Sequence, residues 1–174
     1  LVVAFSGTRS KDQLINQIQN RDVVPFNIHP EIGNAKVNEY FYTNYVTYFR
    51  EDLRDKLNEY TRRYSPSRVV FTGHSLGGAL AVMAATDTIL SAWVSYSRVL
   101  TYTFGQPRVG NYIFSKVLKN RGIGLFRIVH YYDIIPHLPP CESDAILWNG
   151  KCNKDGDYYH SPQEIWYTDL MRSY

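Results

Sequence analysis

The sequence predicts an α/β protein, with a mostly parallel central sheet flanked by helices. Three observations carry that expectation. Short apolar runs at residues 1–5, 68–72, 98–104 and 125–132 alternate with longer segments of helical periodicity, the pattern of helical crossovers between parallel strands. The second run leads straight into Gly73-His74-Ser75-Leu76-Gly77, a serine between glycines at a strand-to-helix corner. Three chemically useful positions, Gly7-Thr8, Ser75 and Asp133, fall beyond the carboxyl ends of apolar runs, where ligands sit in such sheets.

Each element follows from its residues. Leu1-Val2-Val3-Ala4-Phe5 is almost wholly apolar, as expected for a strand buried on both faces. Residues 12–21 carry Leu14, Ile15 and Ile18, a narrow apolar stripe at helical spacing. Val23-Val24-Pro25-Phe26 is a short extended piece that Pro25 confines to an edge or a non-strand, and residues 27–34 read as loop. Residues 37–64 form the longest periodic segment: Phe41, Tyr45, Phe49, Leu53 and Leu57 recur every four residues, as on the apolar face of an amphipathic helix. Ser65-Pro66-Ser67 stops it. The helix from Leu76 to about Leu90 is apolar nearly all round and should be buried. Residues 111–120 repeat the helical pattern through Ile113, Phe114, Val117 and Leu118. Pro136, Pro139 and Pro140 then exclude regular structure, and residues 163–174 are helix or strand by pattern alone.

The chain has 174 residues, 44% of them apolar and 20% charged, enough for one real core and one domain. A scattered net charge of +3 gives no footprint for nucleic acid, and no apolar run approaches the roughly 20 residues that span a bilayer. The chain opens on Leu inside an apparent strand, so it is expected to be a partial domain, 1–174, truncated at both ends. The two cysteines, Cys141 and Cys152, would as a disulfide close a short loop worth about 3 kcal/mol. Free thiols, or thiols paired elsewhere, are the alternatives. His137, Cys141, Cys152 and His160 offer zinc-ligand types without close-paired spacing, so neither a metal nor another cofactor is expected.

The corner at Ser75 has a definite chemistry. Its glycines permit a turn too tight for side chains, and the turn lifts the serine hydroxyl to the sheet edge at the positive end of a helix. By chance G-x-S-x-G should occur in roughly 5% of chains this long; the flanking strand and helix patterns are what make it a nucleophile elbow. A serine nucleophile needs a histidine to take its proton, a carboxylate to orient that histidine, and donors for the oxyanion. The Leu76 N–H is available in an elbow, Thr8 fits as second donor, and Asp133 fits as the acid. The alternatives are an ordinary polar turn at Gly7-Thr8 and a solvated turn residue at Asp133.

Four blocks give the chain a family resemblance: Val3-Ala4-Phe5-Ser6-Gly7-Thr8, Thr72-Gly73-His74-Ser75-Leu76-Gly77-Gly78-Ala79, Thr103-Phe104-Gly105-Gln106-Pro107-Arg108-Val109-Gly110-Asn111, and Asp133-Ile134-Ile135-Pro136-His137-Leu138-Pro139-Pro140. In order and content they resemble the class 3, fungal-type triacylglycerol lipases. Asn38-Glu39-Tyr40-Phe41 and the stretch around Tyr159-His160 look more like the nematode branch. The resemblance implies an α/β-hydrolase fold, Ser75 as nucleophile, Asp133 as triad acid and Thr8 with Leu76 as oxyanion hole. It also implies a mobile lid at residues 10–21 whose apolar face is Leu14, Ile15 and Ile18; packing on the body is the other reading of that stripe. It further implies a secreted protein that meets lipid or another ester substrate at a lipid–water interface. Feruloyl esterase and phospholipase A1 activities share the scaffold, and a lipid-binding protein without turnover is the non-enzymatic alternative.

The base is the open position. Among His29, His74, His130, His137 and His160, chain order favours His160. The resemblance places the catalytic histidine later, in a segment expected beyond Tyr174.

Overall fold

The structure, a computed structural model, describes residues 1–8, 22–141, 152, 154–156, 158–161 and 163–168. Among the described residues, its centre is a wholly parallel sheet of five strands. In spatial order they are β1 (Val2–Phe5), β4 (Val69–His74), β5 (Val99–Phe104), β6 (Gly124–His130) and β7 (Glu164–Tyr167). β2 (Val23–Pro25) and β3 (Lys36–Asn38) form a separate antiparallel pair. Pro25 is thus a strand residue in a two-stranded ribbon, where a missing N–H is tolerated.

The described α-helices are α1 (Glu39–Asn44), α2 (Arg50–Tyr64), α3 (Leu76–Leu90) and α4 (Tyr112–Asn120). Asparagines start two of them: the Asn38 side chain accepts from Phe41 N at 3.2 Å, and the Asn111 side chain from Phe114 N at 3.0 Å, filling donors that a helix start leaves over. α3 is buried continuously from Gly77 to Thr88. It packs on β4, β5 and β1, against the sheet face that carries Val69, Phe71, Val99, Thr101, Thr103 and Leu125, all buried.

Three expectations change. Among the described residues β1 is the outer strand of the sheet, with alternating exposure, and Val2 is 64% exposed rather than buried. The long periodic segment is not one α-helix: a π-helical turn at Tyr45–Phe49 separates α1 from α2. An i→i+5 turn advances the phase, so Phe41, Tyr45, Leu53 and Leu57 stay buried while Phe49 is 40% exposed and meets Phe5 edge-on at 5.5 Å. The last apolar run leaves the strand at His130, before Tyr131 (φ +43°), and a single 3-10 turn at Ile135–His137 interrupts the proline-rich stretch.

Cys141 and Cys152 form a disulfide, with their Cα atoms 5.4 Å apart. Both sulfurs are therefore withdrawn from thiolate chemistry. The lid stripe, Leu14, Ile15 and Ile18, lies outside the described residues.

Candidate active site

Ser75 sits between β4 and α3 with φ +56° and ψ −123°, a left-handed strain that non-glycine residues adopt only where their surroundings impose it. Here they do. A Cβ at Gly77 would lie 2.2 Å from the Phe5 carbonyl oxygen, and a Cβ at Gly73 would lie 2.2 Å from the Gly77 carbonyl oxygen. The corner is therefore clamped to β1. The Ser75 N–H donates to Phe104 O at 2.9 Å, which ties the corner to β5 as well. Ser75 is 1% exposed, and its Oγ hydrogen-bonds no described group.

The neighbouring strand ends converge on it. Gly7 lies so close that a Cβ there would meet the His74 carbonyl oxygen at 2.7 Å and Ser75 Cβ at 3.7 Å, which puts Thr8 at the rim. Leu76 opens α3, so its N–H has no acceptor within the helix and faces the N-terminal end of the dipole. Asp133 stands three residues beyond β6, half-buried, with Oδ1 accepting from Ile135 N at 3.0 Å. Its Oδ2 packs against Gly105 (φ +53°), where a Cβ would lie 2.5 Å from Oδ2 and 3.5 Å from His74 Nε2.

Arg108 completes the acid loop. Its backbone N–H donates to Leu138 O at 2.8 Å, and its Nη1 donates to His137 O at 2.5 Å and Pro139 O at 2.8 Å. In the sequence Arg108 stands only inside the Thr103–Asn111 motif; its role shows in the fold, where it is 5% exposed and too costly to bury unless carbonyls converge on it.

His160 is held elsewhere. Its Nε2 donates to Pro136 O, its own carbonyl accepts from Ser115 Oγ at 2.7 Å, and its Nδ1 is buried without a described partner. Burial first, then the charges of Arg127 and Arg108, keep its pKa well below the usual imidazole value. It is thus a neutral imidazole committed to a backbone carbonyl, and no hydrogen bond joins it to Ser75 or Asp133. The structure brings Thr8, Ser75, Leu76 and Asp133 to one sheet edge and leaves His160 out.

A sequence model of the family described as Lipase (class 3) matches residues 2–143. The chain belongs to the class 3 lipase family. This lipase-family chain is 32% identical over 170 residues to a lipase of Rhizomucor miehei, covering 97% of the chain and 42% of that protein. It is 31% identical to "Lipase ZK262.3" of Caenorhabditis elegans, covering 98% and 49%; the two identities do not separate a fungal from a nematode branch. The solved structure of the Rhizomucor miehei triacylglyceride lipase superimposes with a TM-score of 0.78 at 31% identity, over 97% of this chain and 57% of that one. A triacylglycerol lipase whose catalytic centre is described as a serine protease triad matches at TM-score 0.73 and 32% identity, covering 92% and 55%. The chain spans about half the length of the curated relatives it matches. Its parallel sheet, flanking helices and elbow are those of the α/β-hydrolase fold.

Proposed function

We propose that the protein is a carboxylic-ester hydrolase, a lipase that cleaves acylglycerols. The observation that carries this reading is the strained, buried Ser75 at the head of α3, with Thr8 beyond the adjacent strand β1 and Asp133 beyond β6, two strands away on the other side. Ser75 Oγ attacks the acyl carbonyl while a histidine takes its proton. The N–H groups of Leu76 and Thr8 hold the developing oxyanion. The intermediate expels the glycerol oxygen, which takes the proton back from the imidazolium. A water molecule then repeats the sequence and frees the fatty acid. Asp133, with Oδ1 fixed by Ile135, presents Oδ2 to orient the histidine. The lid at residues 10–21 and action at a lipid–water interface belong to the same proposal. The Cys141–Cys152 disulfide supports a secreted protein, because such bonds persist in oxidising compartments.

The second reading is lipid binding without turnover, which differs from the first in whether a histidine serves Ser75 in the intact protein. A serine-directed phosphonate on the intact protein separates the two. Stoichiometric labelling that disappears in Ser75→Ala, with ester hydrolysis falling about 10⁴- to 10⁶-fold, supports the hydrolase. Absence of labelling, or labelling that survives the substitution, leaves the binding reading. A panel of triacylglycerol, phospholipid and feruloyl esters distinguishes lipase from phospholipase A1 and feruloyl esterase activity.

A further inference from the structure

Behind the nucleophile helix lies a buried polar cluster that the ester chemistry does not use. Its centre is Asp87 on α3, with a fully buried side chain. Oδ1 accepts from His29 Nε2 at 2.7 Å, Ser91 Oγ at 2.9 Å and Arg50 Nη2 at 3.3 Å. Oδ2 accepts from Tyr45 OH at 2.7 Å and Arg50 Nε at 2.8 Å. Every partner is a donor, so Asp87 is ionised. Although burial alone would raise its pKa, the bonds from His29, Arg50 and Tyr45 and the Arg50 charge leave it below the usual carboxylate value.

His29 stands in the loop that joins β2 to β3 and is 5% exposed. Its two ring nitrogens face two different carboxylates: Nε2 meets Asp87 Oδ1 at 2.7 Å, and Nδ1 meets Glu31 Oε1 at 2.8 Å. An ionised carboxylate only accepts, and a neutral imidazole donates through one nitrogen only. Both bonds form together only if both nitrogens carry protons.

We propose that His29 is a buried imidazolium at neutral pH, a protonation-dependent pin that fastens the β2–β3 loop to the helix carrying the nucleophile and releases it when the proton is lost. The groups facing the ring from each element agree with this. Asp87 and Ser91 come from α3 and Glu31 from the loop itself. Arg50 of α2 shares Asp87 through two bonds, pairs with Glu51 at 3.5 Å and lies over the Trp93 ring at 5.4 Å. Tyr45 remains protonated, because burial first and then Asp87 push its pKa far upward. Arg121, near Glu31, lowers the Glu31 pKa as a minor contribution, and the Phe26 ring lies 5.7 Å from the imidazole. Burial alone would lower the His29 pKa, but its bonds to Asp87 and Glu31 outweigh it and leave the value raised. A raised folded pKa gives a contribution that is complete below the unfolded value, about 6.5, and is lost as pH rises through the folded one.

The test is imidazole nitrogen NMR on the intact protein, combined with amide exchange at Phe26, whose N–H donates to Ala35 O across the loop. Both His29 nitrogens should carry protons at pH 6.5, with a midpoint above that value. The Phe26 protection factor should fall across the midpoint, by about tenfold for each unit separating folded and unfolded values. His29→Phe should remove this pH dependence. Glu31→Gln alters a half-exposed side chain, should leave the fold intact, and should lower the midpoint. A midpoint at or below 6.5, a single protonated nitrogen, a midpoint unmoved by Glu31→Gln, or Phe26 protection flat across the midpoint overturns the proposal.

Discussion

Ser75 and Gly105 both have positive φ, and both are fixed by what lies against them. At Ser75 the strain orients the hydroxyl. At Gly105 the missing Cβ leaves room for the carboxylate of Asp133. Gly105→Ala should therefore damage the proposed reaction without touching the nucleophile. Its Cβ would collide with Asp133 Oδ2 at 2.5 Å, and an acid displaced by about 1 Å should cost about 10²-fold in kcat. Phosphonate labelling kinetics should slow while Ser75 remains the labelled residue; an unchanged kcat would show that Asp133 is not the orienting acid. Gly73, Gly77 and Gly7 were legible because each stands beside a turn or close approach that excludes a side chain, whereas the room that Gly105 leaves for Asp133 shows only in the fold. Arg108 was not legible in the same way, since its role depends on carbonyls of residues 137 and 139, about thirty positions further along the chain.

The helix-forming segments show where periodicity informs and where it fails. The uniform apolarity of residues 76–90 matched α3, because a helix buried all round needs no phase. For residues 37–64 the four-residue spacing suggested one unbroken helix, but an i→i+5 turn leaves much the same local pattern and changes only the phase. That change has a purpose in the packing. Tyr45 and Arg50 are five residues apart, about 140° out of phase in an α-helix at 3.6 residues per turn, yet both reach Asp87 Oδ2. Arg50→Met should remove two charge-assisted hydrogen bonds and leave His29 as the one cation on Asp87, at a cost of about 2–3 kcal/mol. Tyr45→Phe should cost only about 1–2 kcal/mol, because Arg50 still covers the same oxygen. The ordering of the two urea midpoints checks this; equal midpoints would mean that the guanidinium is not the main partner. The apolar run of β1 reports what a strand can bury; among the described residues no strand pairs its outer edge, and Val2 is exposed.

For the whole molecule, the acid limb of stability follows from Asp87. Its folded pKa is depressed, so its contribution is present above the unfolded value, about 3.9, and is lost as pH falls through the folded one. Asp87→Asn should flatten the acid limb of the unfolding midpoint against pH below about 4. The disulfide acts on the unfolded chain instead: Cys152→Ser should cost about 3 kcal/mol at every pH, read as a parallel downward shift of the same curve. The sheet order has a consequence in time. β4 and β5 pair residues about 30 apart, Val70 with Leu100, whereas β1 and β4 pair residues about 68 apart, Val2 with Val70. Closing the longer loop costs about 0.7 kcal/mol more. The elbow should thus be assembled with β4, α3 and β5 before β1 arrives. The strand that leads into Gly7 and Thr8 docks after them, and pulse-labelled amides of β1 should acquire protection after those of β4 and β5. During refolding the chain should pass through a form that displays its serine before it can stabilise an oxyanion.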